Sequence, residues 1–131
     1  MTGRQRATSG SPFEKTFGFT RAVRVGDRII VSGTGPVEPD GSTTPGDAAE
    51  QAARVCTIIV AAIEELGGTA ADVVRTRMLL TDPADQLAVG AVHAQFFGAA
   101  PPASTMAGVA WLARPEWRVE IEAEAVIAAQ D

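Results

Sequence analysis

Residues 117–126 read WRVEIEAEAV, and this run constrains the fold more than any other. Side chains alternate across an extended chain, so Val119, Ile121, Ala123 and Ala125 point one way. Glu120, Glu122 and Glu124 point the other. Like charges in a row on one pleated face repel unless cations or water meet them. The chain must therefore supply either a solvated face or a basic strand opposite.

A basic strand is present. In VVRTRMLLT (73–81), Arg75, Arg77 and Leu79 share one face, and Val74, Thr76, Met78 and Leu80 share the other. If the apolar faces of both strands turn toward the helices, Arg75 and Arg77 emerge on the side of Glu120 and Glu122. Neighbouring strands would then bring each arginine to a glutamate. Two readings stay open: an ion-pair lattice joining subunits, or a partly desolvated carboxylate that handles protons in a cleft.

The remaining elements follow from punctuation and period. TRAVRVGDRIIVS (20–32) is a hairpin turning at Gly26-Asp27, and SGTGPVEPDGSTTPGD is loop. Asp47 caps a helix to about Leu66, with Ala52, Val55, Cys56, Ile59, Ala62, Ile63 and Leu66 on its buried face. Asp82-Pro83 starts a second helix, which carries Leu87, Ala91, Ala94 and Phe97 toward the core. STMAGVAWL (104–112) is a strand, ARPE a turn, and the glutamate run the last strand.

The expected fold is α+β: one mixed sheet of five to six strands, with two helices on one face. Strand 104–112 is apolar on both sides, so its second face asks for cover from another copy of the chain. The expected organisation is a flexible tail over residues 1–12 and a single domain over 13–131.

Composition narrows the function. The net charge is −5 with no basic cluster, which disfavours nucleic-acid binding. No apolar run reaches bilayer length, and MTGRQRATSG lacks the apolar core of a signal peptide. The single Cys56 reads as a small core residue and fits a reducing, cytoplasmic setting. His93 is the only histidine, without ligands at metal spacing, so no metal site is expected and a helix-surface or interface position is. SGTGP (32–36) opens no helix and is not a phosphate fingerprint; its glycines suit a tight bend or a close approach of the backbone to a ligand. Ser104 and Thr105 have no histidine beside them to activate a nucleophile.

AVRVGDRIIVSG (22–33), VVRTRMLLTDPADQLAVGAVHAQFF (73–97), PASTMAGVAWL (102–112) and VEIEAEAV (119–126) together resemble the Rid, or YjgF-like, family of reactive-intermediate deaminases. The resemblance implies a chorismate-mutase-like sheet, a homotrimer around a barrel-like centre, and pockets in the intersubunit clefts. It implies cofactor-free hydrolysis of small imines or enamines such as 2-iminopropionate. Carried over by position, Glu120 is the carboxylate that places water, and Gly33 and Thr34 belong to the loop that assists it.

Ser104 stands where the family has its substrate-carboxylate arginine, and Thr105 and Met106 follow where serine and cysteine are common. Phe19 replaces a tyrosine, and Gly90 replaces an asparagine. A substrate without the simple amino-acid carboxylate is therefore implied, with Arg77 or Arg75 as a substitute anchor. The alternatives are a non-catalytic, small-ligand-binding or regulatory trimer and the endoribonuclease or translation-inhibitor activity of older family labels.

Overall fold

The computed structural model describes residues 3–128. Six strands form one mixed sheet: β1 (Gln5–Ala7), β2 (Ala22–Val25), β3 (Arg28–Thr34), β4 (Val73–Leu80), β5 (Ala103–Gly108) and β6 (Val119–Val126). Their spatial order is β1-β2-β3-β6-β4-β5, with β4 and β5 parallel and every other neighbour antiparallel. Two long helices, α2 (Ala48–Glu65) and α3 (Gln86–Phe97), pack on one face, and a short α1 (Pro12–Phe17) lies near the start. This is the α+β architecture expected from the sequence.

The period of α2 explains its seat. Ala52, Val55, Cys56, Ile59, Ala62 and Ile63 are buried against Ile29, Val31, Val119 and Ile121 of the sheet. Asp47 closes a capping box with Glu50, its side chain accepting from the Glu50 amide at 2.9 Å. Cys56 is buried in this core, and the apolar surroundings raise its thiol to about 12, so it stays a thiol.

The glutamate face is met by arginines, but in a different phase from the simplest reading. The β4–β6 register pairs Arg75 with Glu124, Arg77 with Glu122 and Leu79 with Glu120. Arg77 Nη1 donates to Glu122 Oε1 at 2.6 Å, and Arg28 and Arg75 both reach Glu124. Glu120 faces a leucine instead.

Several expectations are corrected. The opening segment is not a free tail over its whole length: Gln5–Ala7 pairs with β2, and Ala7 is fully buried. Val74 leaves the apolar face because the register shifts between Val73 and Arg75, so Val73 takes the core position and Val74 is exposed. Strand β5 ends at Gly108, and Trp111 lies outside the sheet, 76% exposed.

On α3 the buried residues are Val89, Val92 and Phe97, whereas Leu87 is 89% exposed. The helix is apolar around its circumference, so period could not choose its face. His93, expected on the helix surface or at an interface, is half-buried, with Nε2 2.7 Å from Thr76 Oγ1. Burial lowers its pKa.

Candidate active site

Glu120 opens into a cleft of about 320 Å³ between α1, the end of β3, Trp117 and β6. Four aromatic rings line it: Phe13, Phe17, Phe19 and Trp117. Each is placed by local chemistry. Ser11 and Pro12 start α1, and Gly18 ends it at φ +75, a left-handed turn that glycine adopts freely. Phe13 stacks on Phe17 at 5.9 Å between centroids and meets the edge of Trp117 at 5.8 Å. Trp117 is itself fixed by donating its indole N–H to Thr43 Oγ1 at 3.1 Å.

The two glycines of SGTG have distinct jobs. A Cβ at Gly33 would stand 2.7 Å from Glu120 Oε2, so the carboxylate rests directly on the backbone there. A Cβ at Gly35 would come within 2.3 Å of the Trp117 ring. Side chains of the cleft, Glu120 and Trp117, make the close approaches at these two glycines, where a ligand was the expected neighbour.

Arg21 underlies the floor. It is 3% exposed; its Nη1 donates to the Gly33 carbonyl at 2.6 Å and to Thr34 Oγ1 at 3.1 Å. Its Nε pairs with Glu14 of α1 at 3.2 Å, and Ser9 caps the same carboxylate. This network pins α1 over the cleft and holds the Gly33–Thr34 backbone in place.

Glu120 is left without a paired cation among the described residues. Burial raises its pKa, the nearby Arg21 charge opposes that, and Glu122 adds to it. A carboxyl poised above its usual range, in a partly dry cleft, suits proton transfer to and from a bound water.

Of the residues singled out in the sequence, Phe19, Gly33, Thr34 and Glu120 come together in this cleft. The others do not reach it within one protomer. Arg77 lies on the open sheet face beside Glu122. Ser104 accepts from Thr76 Oγ1 at 2.8 Å, continuing the contact to His93. Gly90 and Met106 are neighbours, a Cβ at Gly90 standing 3.9 Å from Met106 Cε. Thr105 of β5 stands in register with Arg77 of β4.

Sequence reasoning missed Arg21 and the α1 wall. Ser11-Pro12 with Glu14 is a helix-start signal that could have exposed α1; nothing local marks Arg21. Among the described residues no group of three His, Cys, Asp or Glu side chains is placed to hold a metal, and no helix is long and apolar enough to cross a membrane.

The comparisons with known proteins cover nearly the whole of this framework. The endoribonuclease L-PSP family model matches residues 11–127. The chain belongs to this family, also known as the YjgF or Rid family. An uncharacterised protein of Streptomyces coelicolor is 39% identical to this Rid-family chain over 127 residues, 97% of the chain and 95% of that protein. The 2-iminobutanoate/2-iminopropanoate deaminase of Escherichia coli is 34% identical over 111 residues, 82% of this chain and 86% of the deaminase. A YjgF-family crystal structure from Mycobacterium tuberculosis superposes with a TM-score of 0.86 at 41% identity, covering 95% of this chain and all of that one. The Rid fold thus accounts for the sheet and for the helices behind it.

Proposed function

We propose that this protein hydrolyses small imines or enamines to the carbonyl compound and ammonia. One observation carries the reading: of the three glutamates on β6, the two matched to arginines sit on the open face, while Glu120 alone lines an aromatic cleft. Glu120 takes a proton from water as the water attacks the C=N carbon, then returns it to the departing nitrogen. The Gly33 backbone positions the carboxylate, and Arg21 holds that backbone. The named activity of the Escherichia coli relative agrees with this chemistry.

The working form in this proposal is a cytoplasmic homotrimer with a barrel-like centre. Exposed Phe19, Leu87 and Trp111, together with β5 at the sheet edge, favour an assembly that covers them. In the trimer, β5 of a neighbouring copy would bring Ser104, Thr105 and Met106 toward the Glu120 cleft, with Gly90 behind them. Ser104 offers no charge to a substrate carboxylate, so the preference shifts away from simple imino acids. No cofactor enters the scheme.

A non-catalytic binding trimer is the second reading, favoured by the Ser104 hydroxyl being engaged by Thr76 instead of a ligand-seeking arginine. The test is ammonia release from 2-iminopropionate generated in place, with wild type, Glu120→Gln and Ser104→Arg side by side. Acceleration by wild type or by Ser104→Arg, lost on adding Glu120→Gln, supports hydrolysis. No acceleration by any variant, with a small ligand still binding saturably, supports the second reading.

A further inference from the structure

No histidine stands beside Ser104 in the sequence, yet the fold brings His93 within one hydroxyl of it. The parallel register sets Ser104 of β5 level with Thr76 of β4, and α3 lays His93 against that pair. Thr76 Oγ1 lies 2.7 Å from His93 Nε2 and donates to Ser104 Oγ at 2.8 Å. Phe97, 1% exposed, packs with its ring centroid 5.0 Å from that of the imidazole and holds it there. All of these side chains belong to one protomer, so the chain of contacts does not depend on what a neighbouring copy brings.

A hydroxyl has one proton to give. Thr76 spends its own on Ser104, so toward Nε2 it accepts, and His93 carries a hydrogen on Nε2. Nε2–H is the neutral tautomer that free imidazole side chains already favour, and the imidazolium has the same N–H. The opposite tautomer would place a hydrogen on Nδ1, which has no partner among the described residues. Thr76 is fully buried, so water does not compete for its proton. Ser104 therefore accepts from inside the fold, and its own proton is left for whatever meets its exposed side.

Resting on the proposed imine reading and its assembly, in which β5 meets a neighbouring Glu120 cleft, we infer that His93 and Thr76 are positioning residues that commit the Ser104 hydroxyl to donate. The ligand then presents a hydrogen-bond acceptor at that point, an oxygen of the group attached to the C=N carbon. A ligand offering only an N–H there is disfavoured.

His93 is the only histidine, so ¹⁵N-histidine labelling of the intact protein reports this ring alone. Burial lowers its pKa, and the neutral form is read at mildly alkaline pH. The proton should sit on Nε2; a proton on Nδ1 overturns the inference. Pyruvate, the product of 2-iminopropionate hydrolysis, is the binding probe, since it carries oxygen acceptors and no donor. Ser104→Ala should weaken it about two- to tenfold, the range of one hydrogen bond. Thr76→Val keeps the shape, deletes the relay and should weaken it too, whereas Thr76→Ser should keep the wild-type affinity. Both changes together should lose no more than Ser104→Ala alone. Additive losses, no loss on Ser104→Ala, or no binding of pyruvate would overturn the inference. Ser104→Ala, on the exposed edge strand, serves with the labelling if Thr76→Val folds poorly.

Ammonia release from 2-iminopropionate is scored separately. Turnover with the proton on Nδ1 overturns the relay and leaves imine hydrolysis standing. The expected tautomer and affinity pattern without turnover support the donor role and remove the catalytic reading.

Discussion

The carboxylate of Glu120 lies on the backbone of Gly33, so close that a Cβ there would stand 2.7 Å from Oε2. The contact is with the far end of a flexible side chain, which can swing aside at little cost. Gly33→Ala should therefore leave the melting temperature within a few degrees of wild type. Activity or ligand affinity should fall by about ten- to a hundredfold, as expected when a catalytic group is displaced by about an ångström. Thermal unfolding and the imine assay on the same preparation check both halves.

Gly35 predicts the opposite balance. A Cβ there would run into the ring of Trp117, which is 4% exposed and cannot swing away. Gly35→Ala should cost about 1–3 kcal/mol of stability, as overpacking does. Chemical denaturation measures it, and an unchanged midpoint would show that the ring relocates freely.

Glu120 itself should cost the fold something. Its pKa is raised from 4.5, chiefly by burial, so the folded state holds the proton more tightly than the unfolded chain does. The stability tied to this group is therefore full below about 4.5 and is lost as pH rises through the folded pKa. Glu120→Gln should raise the melting temperature at neutral pH and lose that advantage in acid. A variant no more stable than wild type at neutral pH would contradict the burial argument.

The Arg21–Glu14 pair is buried on both sides, at 4% and 7% side-chain exposure. Arg21→Met strands the Glu14 carboxylate and should cost about 3–5 kcal/mol, whereas removing both charges together should cost less. A double-mutant cycle with Glu14→Gln gives the coupling; additive losses would mean that the pair does not hold α1.

Arg77 is half-exposed and engaged by Glu122. Arg77→Ala should change stability by at most about 1 kcal/mol and leave probe affinity unchanged. A large loss of affinity would show that this side chain reaches a ligand after all.

What the sequence made legible was whatever has a period or a punctuation mark. The apolar repeat from Ala52 to Leu66, the Asp47 cap and the Gly26-Asp27 turn all appear where expected. The arginine–glutamate pairing was visible in kind but not in phase, because alternation fixes the face of a strand and not its slide along a neighbour. The bulge at Val74 is part of that slide. The face of α3 was hidden by its uniform apolarity. The cleft was half visible, since Phe19, Gly33, Thr34 and Glu120 lie in marked segments. Arg21 acts through Gly33 and Glu14, contacts set by tertiary packing that no local pattern announces.

The residue numbers in the β4–β6 ladder have a fixed sum: 75 with 124, 77 with 122, 79 with 120. On β4 two arginines face three acids, and Arg28 of β3 gives Glu124 a second partner, so this alignment leaves Glu120 alone without one. A slide of two positions would set Arg77 against Glu120 and Arg75 against Glu122, leaving Glu124 to Arg28 alone. The free carboxylate is thus specified by a count along the chain as much as by its own codon. A two-residue insertion that moved Arg77 to the place of Leu79 would be a quiet edit to the sheet and a decisive one for the chemistry.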